Sequence, residues 1–145
     1  MAEIVPVGGR SGILRKDPCD GVKKVIAVLI SSGLLVDYMQ LLVYHHGTPG
    51  ALVGHGGDGG HFAPFVLADD EYLTGLTGKY GMYVNSVVLH TNMRTSQRFG
   101  GNSGEREYEI HAGHGEHIVG LFCRSDIYID AIGAVTAPLP PPKYP

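Results

Sequence analysis

A chain of 145 residues with 43% apolar side chains is long enough to bury one core and too short to expect two. Its formal charge of −3, with 11 Lys and Arg scattered along the chain, leaves no basic patch for nucleic acid or an anionic membrane. The longest apolar run, Val25 to Ile30, falls far below a bilayer span, and Met1 to Pro6 has neither the basic segment nor the apolar core of a signal peptide. The expectation is therefore a soluble chain without membrane insertion, placed in the cytoplasm, with secretion by other routes left open.

Taken in chain order, segments rich in Val, Ile, Leu and Tyr predict strands over Val22–Ser31, Val36–His45, Tyr83–Asn92 and His117–Phe122, each closed by Gly, Pro, Asn or Asp. No long window free of glycine carries a helical stripe, and 22 glycines break most helices while permitting tight turns. An all-β domain of about ten to twelve strands follows. Cys19 and Cys123 match no metal or redox spacing and read as unpaired small apolar residues. Residues 1–137 form the domain, and Pro138 to Pro145 cannot donate to a sheet ladder, so they read as an extended, polyproline-like tail.

Three glycine runs recur along the chain: Gly8-Gly9-Arg10-Ser11-Gly12, Gly56-Gly57-Asp58-Gly59-Gly60 and Gly100-Gly101-Asn102-Ser103-Gly104. Between them recurs an apolar turn closed by an acid or its amide: Gly33-Leu34-Leu35-Val36-Asp37, Gly81-Met82-Tyr83-Val84-Asn85 and Asp126-Ile127-Tyr128-Ile129-Asp130. That is an internal threefold repeat, whose units cannot bury their apolar faces alone and should close around a shared axis. Any single copy reads most simply as a β-turn closed by glycine and an acid. Three copies joining the same two loop types point to function. A carboxylate accepts two hydrogen bonds, free N–H groups in a tight turn donate more, and bare glycine lets a flat ring approach the backbone. Such a site suits vicinal hydroxyls, and it carries neither a nucleophile nor a general-base pair.

The glycine runs, the turn Ser32-Gly33-Leu34-Leu35-Val36-Asp37, the stretch Glu71 to Gly78 and the ending Val119 to Gly133 resemble the jacalin-related lectins, and the resemblance spans Gly8 to about Ala137. The tract Thr91 to Gly101 is also similar to an algal lectin. The resemblance implies a β-prism of three four-stranded Greek-key sheets with sugar sites at one end, no cofactor, no metal and no catalysis. Carried over residue by residue, it implies that Asp37 faces Gly60, Asn85 faces Gly104 and Asp130 faces Gly12. Gly33, Leu34 and Leu35 complete the first site, Met82 and Tyr83 the second, and Ile127 and Tyr128 the third. Only the Asp37 site matches fully: Asn85 has lost the charge, and Asp126 stands where the turn has its leading glycine, with strain expected if that position needs positive φ. Because Met1 to Val7 runs straight into Gly8, the resemblance favours mannose or glucose over galactose. The expected partners are mannose- and glucose-containing glycans and glycoproteins, each bound weakly and several at once, and a homo-oligomer is compatible with that use.

Other constellations have plain readings. His111, His114 and His117 read as solvent-exposed loop histidines rather than zinc ligands, and His45, His46, His55 and His61 as a polar rim to the second glycine run. Tyr83 and Tyr128 read as packing residues that a sugar face can also meet. Asp69, Asp70 and Glu71 are consecutive and diverge. Two further functions are compatible with the residues: a β-prism that has lost sugar binding and serves as a protein-interaction module, and a metal enzyme built on the histidines.

Overall fold

The structure, a computed structural model, describes residues 1–141 and is all β. In chain order the strands are β1 (Ala2–Gly8), β2 (Ile13–Lys16), β3 (Val22–Ser32), β4 (Val36–His45), β5 (Thr48–Ala51), β6 (His55–Gly56), β7 (His61–Val66), β8 (Leu73–Tyr80), β9 (Ser86–Thr91), β10 (Thr95–Gly100), β11 (Arg106–His111), β12 (Glu116–Ser125) and β13 (Ile129–Pro138). They form three antiparallel sheets ordered β1-β13-β12-β2, β5-β4-β3-β7 and β10-β9-β8-β11, with β6 also paired to β4. Each sheet is one repeat. The sheet built on β12 and β13 borrows β1 and β2 from the other end of the chain, which closes the ring and makes this a β-prism.

Strand boundaries follow the apolar alternation closely, with two differences. The stretch from Tyr83 does not begin a strand: Tyr83 and Val84 belong to the turn, Val84 makes only an isolated bridge to Tyr80, and β9 starts at Ser86. The partner of β4 is split in two by Leu52, Val53 and Gly54, which raises the count to thirteen among the described residues.

One core fills the axis. Ile30, Met39 and Leu41 from the β3–β4 sheet meet Leu76, Leu89 and Ile110 from the β8–β9 sheet and Leu121 and Ile132 from the β12–β13 sheet, all fully or almost fully buried. Burying each such side chain is worth roughly 1.5–3 kcal/mol. Cys19 and Cys123 are buried and unpaired, as their spacing suggested. The thiol of Cys19 is pushed up to about 12 by burial and the nearby Asp17, so it behaves as a small apolar group. Of the tail, Leu139 donates to the Gly115 carbonyl at 2.9 Å, and Pro142 to Pro145 lie outside the described residues.

Antiparallel pairing puts every glycine run and every acid-closed turn at the same end of the prism, here called the tip. The opposite end carries the loop between β7 and β8 and the turn between β9 and β10.

Candidate functional site

At the tip the threefold pattern holds down to single atoms. The first glycine of each run abuts the carbonyl of a turn's closing residue: a Cβ on Gly56 would sit 2.0 Å from Asp37 O, on Gly8 2.5 Å from Asp130 O, and on Gly100 2.2 Å from Asn85 O. The next residue in each run donates to that carbonyl, Gly57 to Asp37 at 2.9 Å, Gly9 to Asp130 at 2.8 Å and Gly101 to Asn85 at 3.0 Å. The last glycine has positive φ and lies against the closing side chain. A Cβ on Gly60 would sit 2.7 Å from Asp37 Oδ1, on Gly12 2.6 Å from Asp130 Oδ1, and on Gly104 3.2 Å from Asn85 Oδ1. The structure thus brings together Asp37 with Gly60, Asn85 with Gly104, and Asp130 with Gly12.

The turns also share one hydrogen-bond pattern. Their leading residue donates to the carbonyl two positions on: Gly33 to Leu35 at 2.9 Å, Gly81 to Tyr83 at 2.9 Å, and Asp126 to Tyr128 at 3.1 Å. In each turn the two middle N–H groups, those of Leu34 and Leu35, of Met82 and Tyr83, and of Ile127 and Tyr128, have no backbone acceptor among the described residues. The fourth residues, Val36, Val84 and Ile129, are fully buried and plug the axis, linked by Val36 N–H to Val84 O at 3.0 Å and Val84 N–H to Ile129 O at 2.8 Å. Tyr83 and Tyr128 pack edge to face across this plug, with ring centroids 5.0 Å apart.

The turns interlock with runs from neighbouring repeats. Gly101 has space for no Cβ because Leu34 O would lie 2.6 Å away, Gly57 because Ile127 O would lie 2.7 Å away, and Gly9 because Met82 O would lie 1.9 Å away. Each glycine run therefore serves its own acid and props the next turn.

One expectation about these turns is corrected. Neither Gly33 nor Gly81 has positive φ, a Cβ on Gly33 would meet nothing within 4 Å, and Asp126 is not among the residues of positive φ. Asp126 therefore carries no backbone strain, and its effect is electrostatic. Burial raises the Asp130 carboxyl, the negative charge of Asp126 raises it further, and Arg124 opposes both. Asp37 is raised by burial alone.

The acids are held oddly for structural residues. Asp130 is only 3% exposed, its Oδ1 has no hydrogen-bond partner, and Asn85 Oδ1 is in the same condition. Buried polar atoms are satisfied in the great majority of cases. Of the four without a partner among the described residues, Nδ1 of His55 and of His117 lie outside the turns, and the two acceptors, on Asn85 and Asp130, close turns whose middle N–H groups also lack a backbone acceptor. Above the first glycine run, Gly9, Arg10 and Ser11 face Met82 and Tyr83 across a cleft of about 400 Å³ that reaches Asp130.

Of the four histidines expected to rim the second glycine run, His61 is exposed at the start of β7 beside Gly60, while the other three are placed differently; His111 and His114 are exposed, as expected. His55 is fully buried and bonds Asp17 at 2.9 Å, while Asp17 accepts the Leu121 N–H with its other oxygen, so the pair ties sheet to sheet. His45 and His46 lie at the far end, where His45 meets the Asp20 carbonyl. His117 is not a solvent residue: it is 1% exposed in β12, packs edge to face on Tyr72, and is pushed down to about 4 by burial and the charge of Lys24. Among the described residues no three His, Cys, Asp or Glu side chains converge on a metal position. Sequence reasoning missed the Glu71–Arg94 pair at the far end, because partners 23 positions apart leave no local signal.

Residues 4–135 match the family model of the jacalin-like lectin domain. A jacalin-related lectin from Arabidopsis thaliana, Jacalin-related lectin 3, is 30% identical over 153 residues, which cover 99% of this chain and 25% of that protein, so the chain spans about a quarter of that relative's length. A mannose/glucose-specific lectin from Parkia pendula is 33% identical over 75 residues, 48% of this chain and 17% of that protein. Among solved structures, a mannose-binding jacalin-related lectin from Ananas comosus superposes with a TM-score of 0.85 at 25% identity, covering 94% of this chain and 97% of that one. The three-sheet prism, the interlocked tip and a family match over nearly the whole chain agree: the chain belongs to the jacalin-like lectin domain family, a family of lectins rather than enzymes.

Proposed function

We propose that the tip binds mannose- or glucose-type sugars through each closing acid, the two free N–H groups of its turn and the glycine run opposite, without a metal ion. The observation that carries this is the Asp130 carboxylate, buried against Gly12 with Oδ1 unpartnered, and its counterpart Asp37 lying against Gly59 and Gly60. Vicinal hydroxyls donate to such a carboxylate in a charge-assisted pair and accept from the turn amides, which matches what the tip leaves unsatisfied. The names of the Parkia and Ananas relatives support the sugar class.

The three sites rank in the order Asp37, Asp130, Asn85. Asp37 keeps its charge with no second acid beside it; Asp130 has Asp126 as a neighbour; Asn85 offers a neutral acceptor, weaker by roughly 1 kcal/mol or more. A single site of this shallow, polar kind binds a monosaccharide near the millimolar range, about −4 kcal/mol, so use on natural glycans depends on several sites acting together. Calorimetric titration with methyl α-mannoside in excess chelator tests the reading. Saturable binding that methyl galactoside does not match supports it, and loss of binding on removing divalent cations contradicts the metal-free part.

A further inference from the structure

The three most symmetrically placed exposed apolar side chains are Leu34, Met82 and Ile127, at 86%, 75% and 64% exposure. Single exposed apolar residues are ordinary on protein surfaces and ask for no explanation. These three occupy the same second position of three separate turns, on one end of the molecule, around one axis. Their turns are tied at that axis by the Val36–Val84 and Val84–Ile129 bonds and by the Tyr83–Tyr128 pair.

We infer that this crown touches the interface of a lipid bilayer when the tip holds sugar head groups of glycolipids, an inference that rests on the sugar-binding reading above. The layout selects this occupant. Leu34, Met82 and Ile127 stand in separate turns, each set against a glycine of another run (Gly101, Gly9 and Gly57), so the crown is three points divided by glycine loops rather than the continuous apolar patch that a folded partner or a second copy of the chain would cover. Three points around an axis meet a plane together. The candidate sugar sites lie between them, so a head group bound there brings its own membrane against Leu34, Met82 and Ile127. The Tyr83–Tyr128 pair is of the residue type that settles at the head-group level. With a formal charge of −3 the chain gains nothing from anionic lipid, so the matching surface is a neutral bilayer bearing neutral sugars. This departs from the expectation of no membrane insertion, which rested on apolar runs. Residues 48 and 45 positions apart leave no trace in such runs.

The chain has no Trp, so Met82→Trp places a single reporter in the crown. The variant is mixed with phosphatidylcholine vesicles carrying a mannosylated lipid, and separately with mannosylated albumin at matched sugar density. Co-sedimentation with the vesicles together with a blue-shifted emission absent on albumin supports the inference. Co-sedimentation with unshifted emission overturns it while leaving sugar binding standing. Binding to albumin but not to vesicles also overturns it and assigns the tip to glycoproteins. Binding to neither overturns both readings. A blue shift that grows with protein concentration alone overturns it in favour of self-association. As a second measurement, the ratio of vesicle to albumin affinity should fall about tenfold in Leu34→Ser/Met82→Ser/Ile127→Ser. An unchanged ratio overturns the inference.

Discussion

The two ends of the prism treat their acids in opposite ways. At the far end Glu71, 2% exposed, accepts from the Ala68 N–H, the Thr91 hydroxyl and the Arg94 guanidinium, and is held down to about 2 chiefly by the Arg94 bond. Lys24 donates to the carbonyls of Ala68 and Asp69, and Asn92 both accepts from Tyr72 N–H and donates to Asp70 O. At the tip, acids of comparable burial are left without such partners, and burial raises Asp37 and Asp130 rather than lowering them. The same fold satisfies Glu71 where it holds loops together and leaves Asp37 and Asp130 open at the tip, as the proposed sugar site requires.

Acid should expose this contrast most strongly. His117 is buried beside Lys24, with Tyr72 against its ring, and its folded value of about 4 lies below the ordinary 6.5. The unfolded chain therefore takes up the proton first. Stability is full above pH 6.5 and falls as pH drops from there through 4, by on the order of 3 kcal/mol. Asp37 and Asp130 act in the opposite sense, since a raised carboxyl is relieved by protonation. Urea melts of wild type and His117→Phe between pH 7 and pH 4 check this, and a wild-type curve as flat as that of the variant would assign the far end's acid sensitivity elsewhere.

Gly60→Ala should cost roughly 2–3 kcal/mol, because its φ is positive and the new Cβ would meet both the Asp37 carboxylate and the Ser32 N–H. Sugar binding at the Asp37 site should be lost with it. Gly101→Ala extends the test: it touches no acid, yet presses on the Leu34 carbonyl, and should weaken the Asp37 site from a neighbouring repeat. Sugar titrations and thermal melts of both variants separate the two effects.

Smaller changes sharpen the ranking within the tip. Asn85→Asp should strengthen the second site by about 1 kcal/mol, roughly fivefold, by restoring a charged acceptor. Asp126→Gly should help the third site by less, since the structure leaves only a charge to remove and no strain. Calorimetry in an Asp37→Ala background isolates each repaired site. Gains in the reverse order would mean that turn shape, not charge, set the differences.

The all-β class and the threefold repeat were legible in the sequence because each is carried by residues close together or repeated at a fixed spacing, whereas the pairing of each glycine run with its acid came from the family resemblance, since Gly12 and Asp130 stand at opposite ends of the chain. Three features were not legible. The Asp17–His55 tie joins residues 38 apart with no motif around them. The surroundings of His117 are set by Tyr72 from the loop before β8 and Lys24 from β3 of another sheet. The cost expected of Asp126 assumed a backbone angle that only coordinates reveal, and the turn does not require it.

The central claim is that the tip acids are kept for a ligand at a cost to stability. The most direct measurement is thermal unfolding of Asp130→Asn beside Glu71→Gln, each with and without methyl α-mannoside. The account expects Glu71→Gln to lower stability by roughly 1–3 kcal/mol and still respond to sugar, because it removes a satisfied buried acceptor far from the site. Asp130→Asn should be neutral or stabilising by about 1 kcal/mol, because it removes a buried charge without partners, and its third site should bind sugar roughly fivefold more weakly and add less to the sugar shift. If Asp130→Asn destabilises as Glu71→Gln does and leaves the sugar shift intact, the tip acid is structural and the account fails.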